Sequence, residues 1–163
     1  MRAQNHSGNR VLGYAPVLIS SEARTSLYAF KEAQMPVDLR IERSMVSAAV
    51  QLVLENEKLK GELIEIAHEK VRSEESPAGA NETRMLAGYC PVLIRIGVKE
   101  QVRYLASSEG ISTNHSQAER ILVTGAIGLV LKAQQLHPAW VGLIAKTVGW
   151  EVDNCFQRTK AMA

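Results

Sequence analysis

Gly13-Tyr14-Ala15-Pro16-Val17-Leu18-Ile19 recurs 75 residues later as Gly88-Tyr89-Cys90-Pro91-Val92-Leu93-Ile94, with six of seven positions identical. A second block follows it in both places. Glu42-Arg43-Ser44-Met45-Val46-Ser47-Ala48-Ala49-Val50-Gln51-Leu52-Val53-Leu54 aligns with Glu119-Arg120-Ile121-Leu122-Val123-Thr124-Gly125-Ala126-Ile127-Gly128-Leu129-Val130-Leu131 at an offset of 77. Seven of these thirteen positions are identical, and Met/Leu, Ser/Thr, Ala/Gly and Val/Ile are conservative exchanges. Two collinear blocks with one small change of offset imply an internal duplication. The change of offset predicts a two-residue insertion in a loop between the blocks.

Each copy opens with a short apolar run after Gly-Tyr-x-Pro. In the second, Val92, Ile94, Ile96 and Val98 alternate with Leu93, Arg95 and Gly97, the period of a strand. Pro16 and Pro91 are tolerated at a strand start or on an unpaired edge. A helix is expected next, from Glu22 to about Ala33 in copy one and from Lys99 to about Ser108 in copy two. Breakers follow: Met35-Pro36 in one, Gly110-Ile111-Ser112-Thr113-Asn114 in the other. A second, longer helix starts with Asp38 as a plausible N-cap in copy one, and with Ser116 and Glu119 as a capping box in copy two. From Ile121 to Leu131 that helix is apolar nearly all round, so it must be buried on all sides. One small copy cannot supply that cover, but two packed together can.

The copies differ beyond this point. Copy one prolongs its second helix, and Leu52, Asn56, Leu59, Leu63 and Ile66 fit a short heptad spacing. Either a coiled-coil seam to a protein partner or a second copy, or an extension lying on its own domain, accounts for it; Asn56 and Gly61 favour the extension. Copy two adds His137-Pro138-Ala139-Trp140, with Pro138 suited to the first turn of a new helix and Trp140, Leu143, Ile144, Val148 and Val152 forming its apolar stripe. The expected organisation is a first repeat over 11–71, a linker over 72–84 rich in Ser, Glu, Pro and Gly, a second repeat over 85–135, and a helical extension over 136–163.

Composition narrows the function classes. The 163 residues are 46% hydrophobic, which permits a core, but only 5% aromatic, so Leu, Val, Ile and Ala must fill it. Residues 1–83 carry a net charge of −2 and residues 84–163 a net +4, so an anion would sit better on the second half. The polar start, Met1 to Arg10, has no secretory pattern, and the run Ile121–Leu131 is too short to cross a bilayer, so a cytoplasmic protein without membrane partners is expected. Cys90 and Cys155 could pair or stay as buried thiols. His6, His68, His115 and His137 are scattered, none at metal-ligand spacing, and Cys90 has no nearby histidine. No phosphate-binding glycine pattern is present. The expectation is therefore a non-enzyme with no catalytic residue, metal or cofactor.

Strand, helix, turn and longer buried helix: this layout resembles the ribbon-helix-helix fold of the Arc/MetJ/CopG-like DNA-binding proteins. The best match is Leu93-Ile94-Arg95-Ile96 leading into Lys99-Glu100-Gln101-Val102-Arg103-Tyr104-Leu105, a glycine-containing turn, and the Glu119–Leu131 helix. It covers roughly residues 14–55 and 89–132, and rests on layout and spacing rather than on an invariant motif. The resemblance implies a mainly helical protein with a short two-stranded antiparallel ribbon, formed by the tandem repeats as a single-chain ribbon-helix-helix pseudo-dimer. It implies sequence-specific binding of double-stranded DNA, as a transcriptional regulator or an accessory of plasmid transfer or maintenance. Outward strand side chains would read bases in the major groove: Arg95 and Leu93 in copy two, Ser20 and Leu18 in copy one. Lys99, Arg103 and the helix start at Ser116 would meet phosphates. Two departures stand out. Leu18 and Leu93 are apolar where the family usually places polar groups, and Asp38 would repel a phosphate. The alternative is an interaction or structural protein that keeps the fold without reading DNA.

Overall fold

The computed structural model describes residues 13–75 and 88–162, the side chains only as far as Gly149. Among these the chain is mainly helical, with one two-stranded antiparallel sheet. Strand β1 (Tyr14–Ser20) leads into α1 (Ser21–Gln34), a 3-10 turn (Val37–Leu39), α2 (Glu42–Glu55) and α3 (Glu57–Glu74). Strand β2 (Tyr89–Arg95) leads into α4 (Ile96–Ser108), α5 (His115–Lys132), a second 3-10 turn (Gln134–Leu136) and α6 (His137–Met162). Residues 1–10, the span 76–84 of the expected linker, and the side chains of Val152 and Cys155 lie outside the described residues.

The sheet pairs the two copies of the repeated stretch. Val17 lies opposite Val92, its counterpart in the repeat, and the register runs from Tyr14 opposite Arg95 to Ser20 opposite Tyr89. Ser21 N donates to Gly88 O and Ile96 N to Gly13 O, each at 2.9 Å, closing the ladder at both ends through equivalent atoms. In an antiparallel pair, alternate residues turn their N–H groups away from the partner strand. Pro16 and Pro91 share the parity of Ser20 and Arg95, whose N–H groups leave the ladder, so the prolines cost it no hydrogen bond. Ser20 N donates to Thr124 Oγ1 at 3.1 Å, and Arg95 N to Ser47 Oγ at 3.0 Å. Ser47 and Thr124 occupy equivalent positions in the two second helices. Ser47→Ala would leave a half-buried amide without its acceptor, and is expected to cost about 1–3 kcal/mol in denaturant titration.

One face of the sheet carries Val17, Ile19, Val92 and Ile94, all buried. It rests on α2 and α5 in crossed fashion: β1 packs on α5 and β2 on α2. Both helices are enclosed: every residue from Ser44 to Val50 is buried, and none from Ala118 to Val130 is exposed. Each Val, Leu, Ile or Met side chain buried there contributes about 1.5–3 kcal/mol, which is why neither helix tolerates an open flank. The cover is also crossed. Helix α3 follows α2 in the chain but packs on α5, where a side chain added at Gly125 would meet Leu63 Cδ1 at 2.8 Å. Helix α6 follows α5 but packs on α2, with Trp140 and Ile144 fully buried.

Several local expectations are corrected. The second strand stops at Arg95: Ile96 is the first residue of α4 and 45% exposed, not an inward strand residue, because its N–H is taken by Gly13 O where the chain turns into the helix. Asp38 does not cap α2; it lies in the 3-10 turn, and α2 starts at Glu42 after Ile41. Ser116 does not cap α5; Asn114 does, its side chain accepting from Gln117 N at 3.1 Å, while Glu119 turns inward. The extended second helix of copy one is two helices. Asn56 leaves helical geometry (φ −107°, ψ 110°) and caps α3 through Leu59 N, so residues 52–66 form no continuous seam. The expected linker start is helical, since α3 runs to Glu74. Pro138 does lie in the first turn of α6.

Candidate nucleic-acid interface

Alternation along the two strands sends Pro16, Leu18, Ser20, Pro91, Leu93 and Arg95 to the face opposite the core. There the prolines are exposed and the other four half-buried. Leu18 lies opposite Pro91 and Leu93 opposite Pro16, so the centre of the face is an apolar patch of four side chains. Its polar groups are at its ends. Ser20 is already committed: its Oγ accepts from Ala23 N at 3.0 Å and caps α1. Arg95, the residue equivalent to it, uses its backbone N–H toward Ser47, while its side chain makes no hydrogen bond or ion pair among the described residues. The recess of about 360 Å³ that Arg95 borders is lined by Tyr14, Gln51 and Gln101 among others, with no carboxylate among the described residues.

Lys99 and Arg103 stand beside this face on α4. Lys99 Nζ donates to Pro16 O at 3.0 Å and lies 3.5 Å from Glu119 Oε2, and Arg103 Nε donates to Glu119 Oε1. Glu119 is buried, so its charge is kept there by these two cations. Arg103 is 54% exposed and keeps donors free to face outward. With Ser116, exposed in the first turn of α5, these residues border a recess of about 250 Å³ that also takes in Pro16, Leu18 and Pro91. The seven residues singled out from sequence are thus on or beside one surface. Ser116 is present there as a first-turn residue, not as the cap.

The equivalent corner of copy one is built from the same positions but is electrically closed. Arg24, equivalent to Lys99, donates from Nε to Glu42 Oε2 at 3.1 Å and from Nη2 to the Tyr28 hydroxyl at 2.7 Å. Tyr28, equivalent to Arg103, donates its hydroxyl to the same Glu42 oxygen. The Glu42 carboxylate as acceptor, with burial, pushes the Tyr28 phenol above its ordinary value and keeps it protonated. One glutamate is therefore matched by one arginine, whereas Glu119 is matched by two cations.

Two arginine–tyrosine stacks flank the strands: Arg43 over Tyr14 at 5.3 Å and Arg120 over Tyr89 at 4.5 Å. Sequence reasoning passed over both, although the Glu-Arg pair that opens each second block was in view. It also missed Glu119 as the anchor of Lys99 and Arg103, since a capping-box pattern explained that residue first. Among the described residues no three His, Cys, Asp or Glu side chains are grouped to hold a metal ion, and no helix is long and apolar enough to cross a membrane. Cys90 is half-buried, with Sγ 3.8 Å from Ile19 O. What fold and surface define is a mainly helical protein in which one face of an antiparallel ribbon lies on the core and the other is partly exposed. Comparison with known proteins finds no matching family profile, curated protein or solved structure.

Proposed function

We propose that this chain is a sequence-specific double-stranded DNA-binding protein, acting in the cytoplasm as a transcriptional regulator or as an accessory of plasmid transfer or maintenance. In this reading the two repeats arose by duplication and form a single-chain ribbon-helix-helix pseudo-dimer. The observation that carries it is the two-faced ribbon: one face buried on α2 and α5, the other with its prolines exposed and Leu18, Ser20, Leu93 and Arg95 half-buried. A two-stranded ribbon fits the major groove, where Arg95 would reach a guanine edge and Leu18 and Leu93 would meet thymine methyl groups. Arg103, Lys99 and the first turn of α5 would then contact phosphates. The pairing of Val17 with Val92, and the matching Ser47 and Thr124 bonds, support the pseudo-dimer.

The test is a mobility-shift titration of the full chain against a genomic fragment library over a salt series. Expected is binding that weakens steeply with salt, with a logarithmic slope of about 0.9 for each phosphate neutralised. Absence of binding at every salt concentration would overturn the reading. A second reading is favoured by one observation, the apolar centre formed by Pro16, Leu18, Pro91 and Leu93. In it the same face docks a protein partner, and DNA binding is absent while Leu18→Asp and Leu93→Asp abolish the protein contact.

A further inference from the structure

Resting on the DNA-binding reading, we infer that the ribbon reads its site with one end only, so that the protein docks in a single orientation on a target without inverted-repeat symmetry. Because Val17 faces Val92, a local two-fold axis through that pair relates Pro16 to Pro91, Leu18 to Leu93 and Ser20 to Arg95. A ribbon with identical arms on this axis would read two identical half-sites running in opposite directions. These arms are identical at the centre and different at the ends.

At one end stands Arg95, a forked donor of the kind that takes guanine O6 and N7 together. Among the described residues its side chain has no partner and no carboxylate borders the recess beside it. At the other end stands Ser20, whose hydroxyl oxygen is occupied as the cap of α1. That hydroxyl can still contribute a hydrogen, which pairs with any base that offers an acceptor and so discriminates weakly. The flanking charges follow the same division. Lys99 and Arg103 exceed Glu119 by one positive charge, and Arg95 adds another. Arg24 is cancelled by Glu42, and the position equivalent to Arg103 is the neutral Tyr28. Of the corresponding groups, copy two therefore has two uncompensated cations and copy one none. Lys99 and Arg103 border Pro16, Leu18 and Pro91 rather than Arg95, so the charge excess and the guanine-reading end are separate asymmetries of one face, and each distinguishes the two docking directions.

The experiment is selection of bound duplexes from a randomised library with the purified full chain, followed by titration of the enriched sequence with Arg95→Ala and Arg95→Lys. The expected motif has no inverted repeat and contains guanine toward one edge. Arg95→Ala should weaken it by about tenfold to a hundredfold and remove that guanine preference. Arg95→Lys keeps the charge but not the fork, so it should preserve the salt dependence and still lose the guanine preference. Both variants would be checked for unchanged helical circular dichroism. A motif with inverted-repeat symmetry, a one-sided motif that Arg95→Ala leaves unaltered, or binding without any enriched motif would each overturn the one-ended readout while leaving DNA binding in place. Failure to retain any duplex would overturn the DNA-binding reading itself.

Discussion

Replacing Trp140 with alanine is expected to lower the stability of the fold by about 3–5 kcal/mol, the range for deleting a buried aromatic side chain. Trp140 is fully buried, although it lies beyond both repeated blocks. Its ring stacks on Phe30 of α1 with centroids 4.8 Å apart, and His137 meets the same phenyl ring edge-on at 4.7 Å. Its indole N–H donates to Met45 O of α2 at 2.9 Å, so its polar atom is satisfied inside the core. The substitution removes the ring, its hydrogen bond and the main anchor of α6 on α2 together. Trp140→Phe retains most of the apolar surface and loses the N–H, so it should cost less. Denaturant unfolding of the three proteins, followed by circular dichroism, measures the order. Equal stability of Trp140→Ala and the parent would refute the assignment of α6 as structural cover for α2.

The second large effect is expected at Glu74 and Arg120. Arg120 Nη1 and Nη2 reach the two Glu74 oxygens at 3.0 and 2.8 Å, and Gln117 Nε2 donates to one of them at 3.0 Å. The side chains are only 7% and 8% exposed, so each charge depends on the other. Removing one alone, as in Glu74→Ala or Arg120→Ala, should cost about 3–5 kcal/mol, because a buried charge is left uncompensated. Replacing both with methionine should be close to neutral, since the desolvation of two ions is removed along with their attraction. A double-mutant cycle would separate these outcomes. The pair also sets a pH dependence. Burial alone would raise the Glu74 carboxyl, but the Arg120 guanidinium and the Gln117 amide outweigh it and hold the group below the usual carboxylate range. The folded state thus binds its proton less readily than the unfolded chain. The contribution is complete above the unfolded glutamate value, about 4.3, and is lost as the pH falls from there through the lower folded value. Unfolding midpoints across that acidic window should decline less steeply in the double-methionine protein than in the parent.

Much of this architecture was legible because the repeat fixed which segments are equivalent. The strand-then-helix order, the burial of α2 and α5, and the two faces of β1 and β2 follow from period-two and all-round apolar patterns. The illegible parts have specific causes. Ile96 continues the strand alternation in letters, yet backbone pairing with Gly13 ends the ladder there, a constraint from a residue 83 positions away. Asn56 looked like a heptad position and acts as a cap; one side chain serves either role, and only the turn of the backbone chooses. The crossed packing of α3 and α6 could not be read from amphipathicity, which says that a face must be covered but not by which helix. At the ribbon, the sequence exposed Arg95 and Ser20 as unequal. It hid that Lys99 and Arg103 converge on Glu119, because that meeting of α4 and α5 depends on the turn between them.

The covalent continuity of β1 and β2 has one more consequence, for dilution. A ribbon assembled from two separate chains competes with dissociation, and its fraction formed falls as the protein becomes scarce. Here both strands belong to one molecule, so their encounter is first order and their effective concentration is set by the tether between them. A few copies in a cell would hold the same ribbon as a concentrated solution. The two arms are also always inherited together, so a substitution in one strand is never copied into the other. That leaves the two ends free to differ, as Arg95 and Ser20 do.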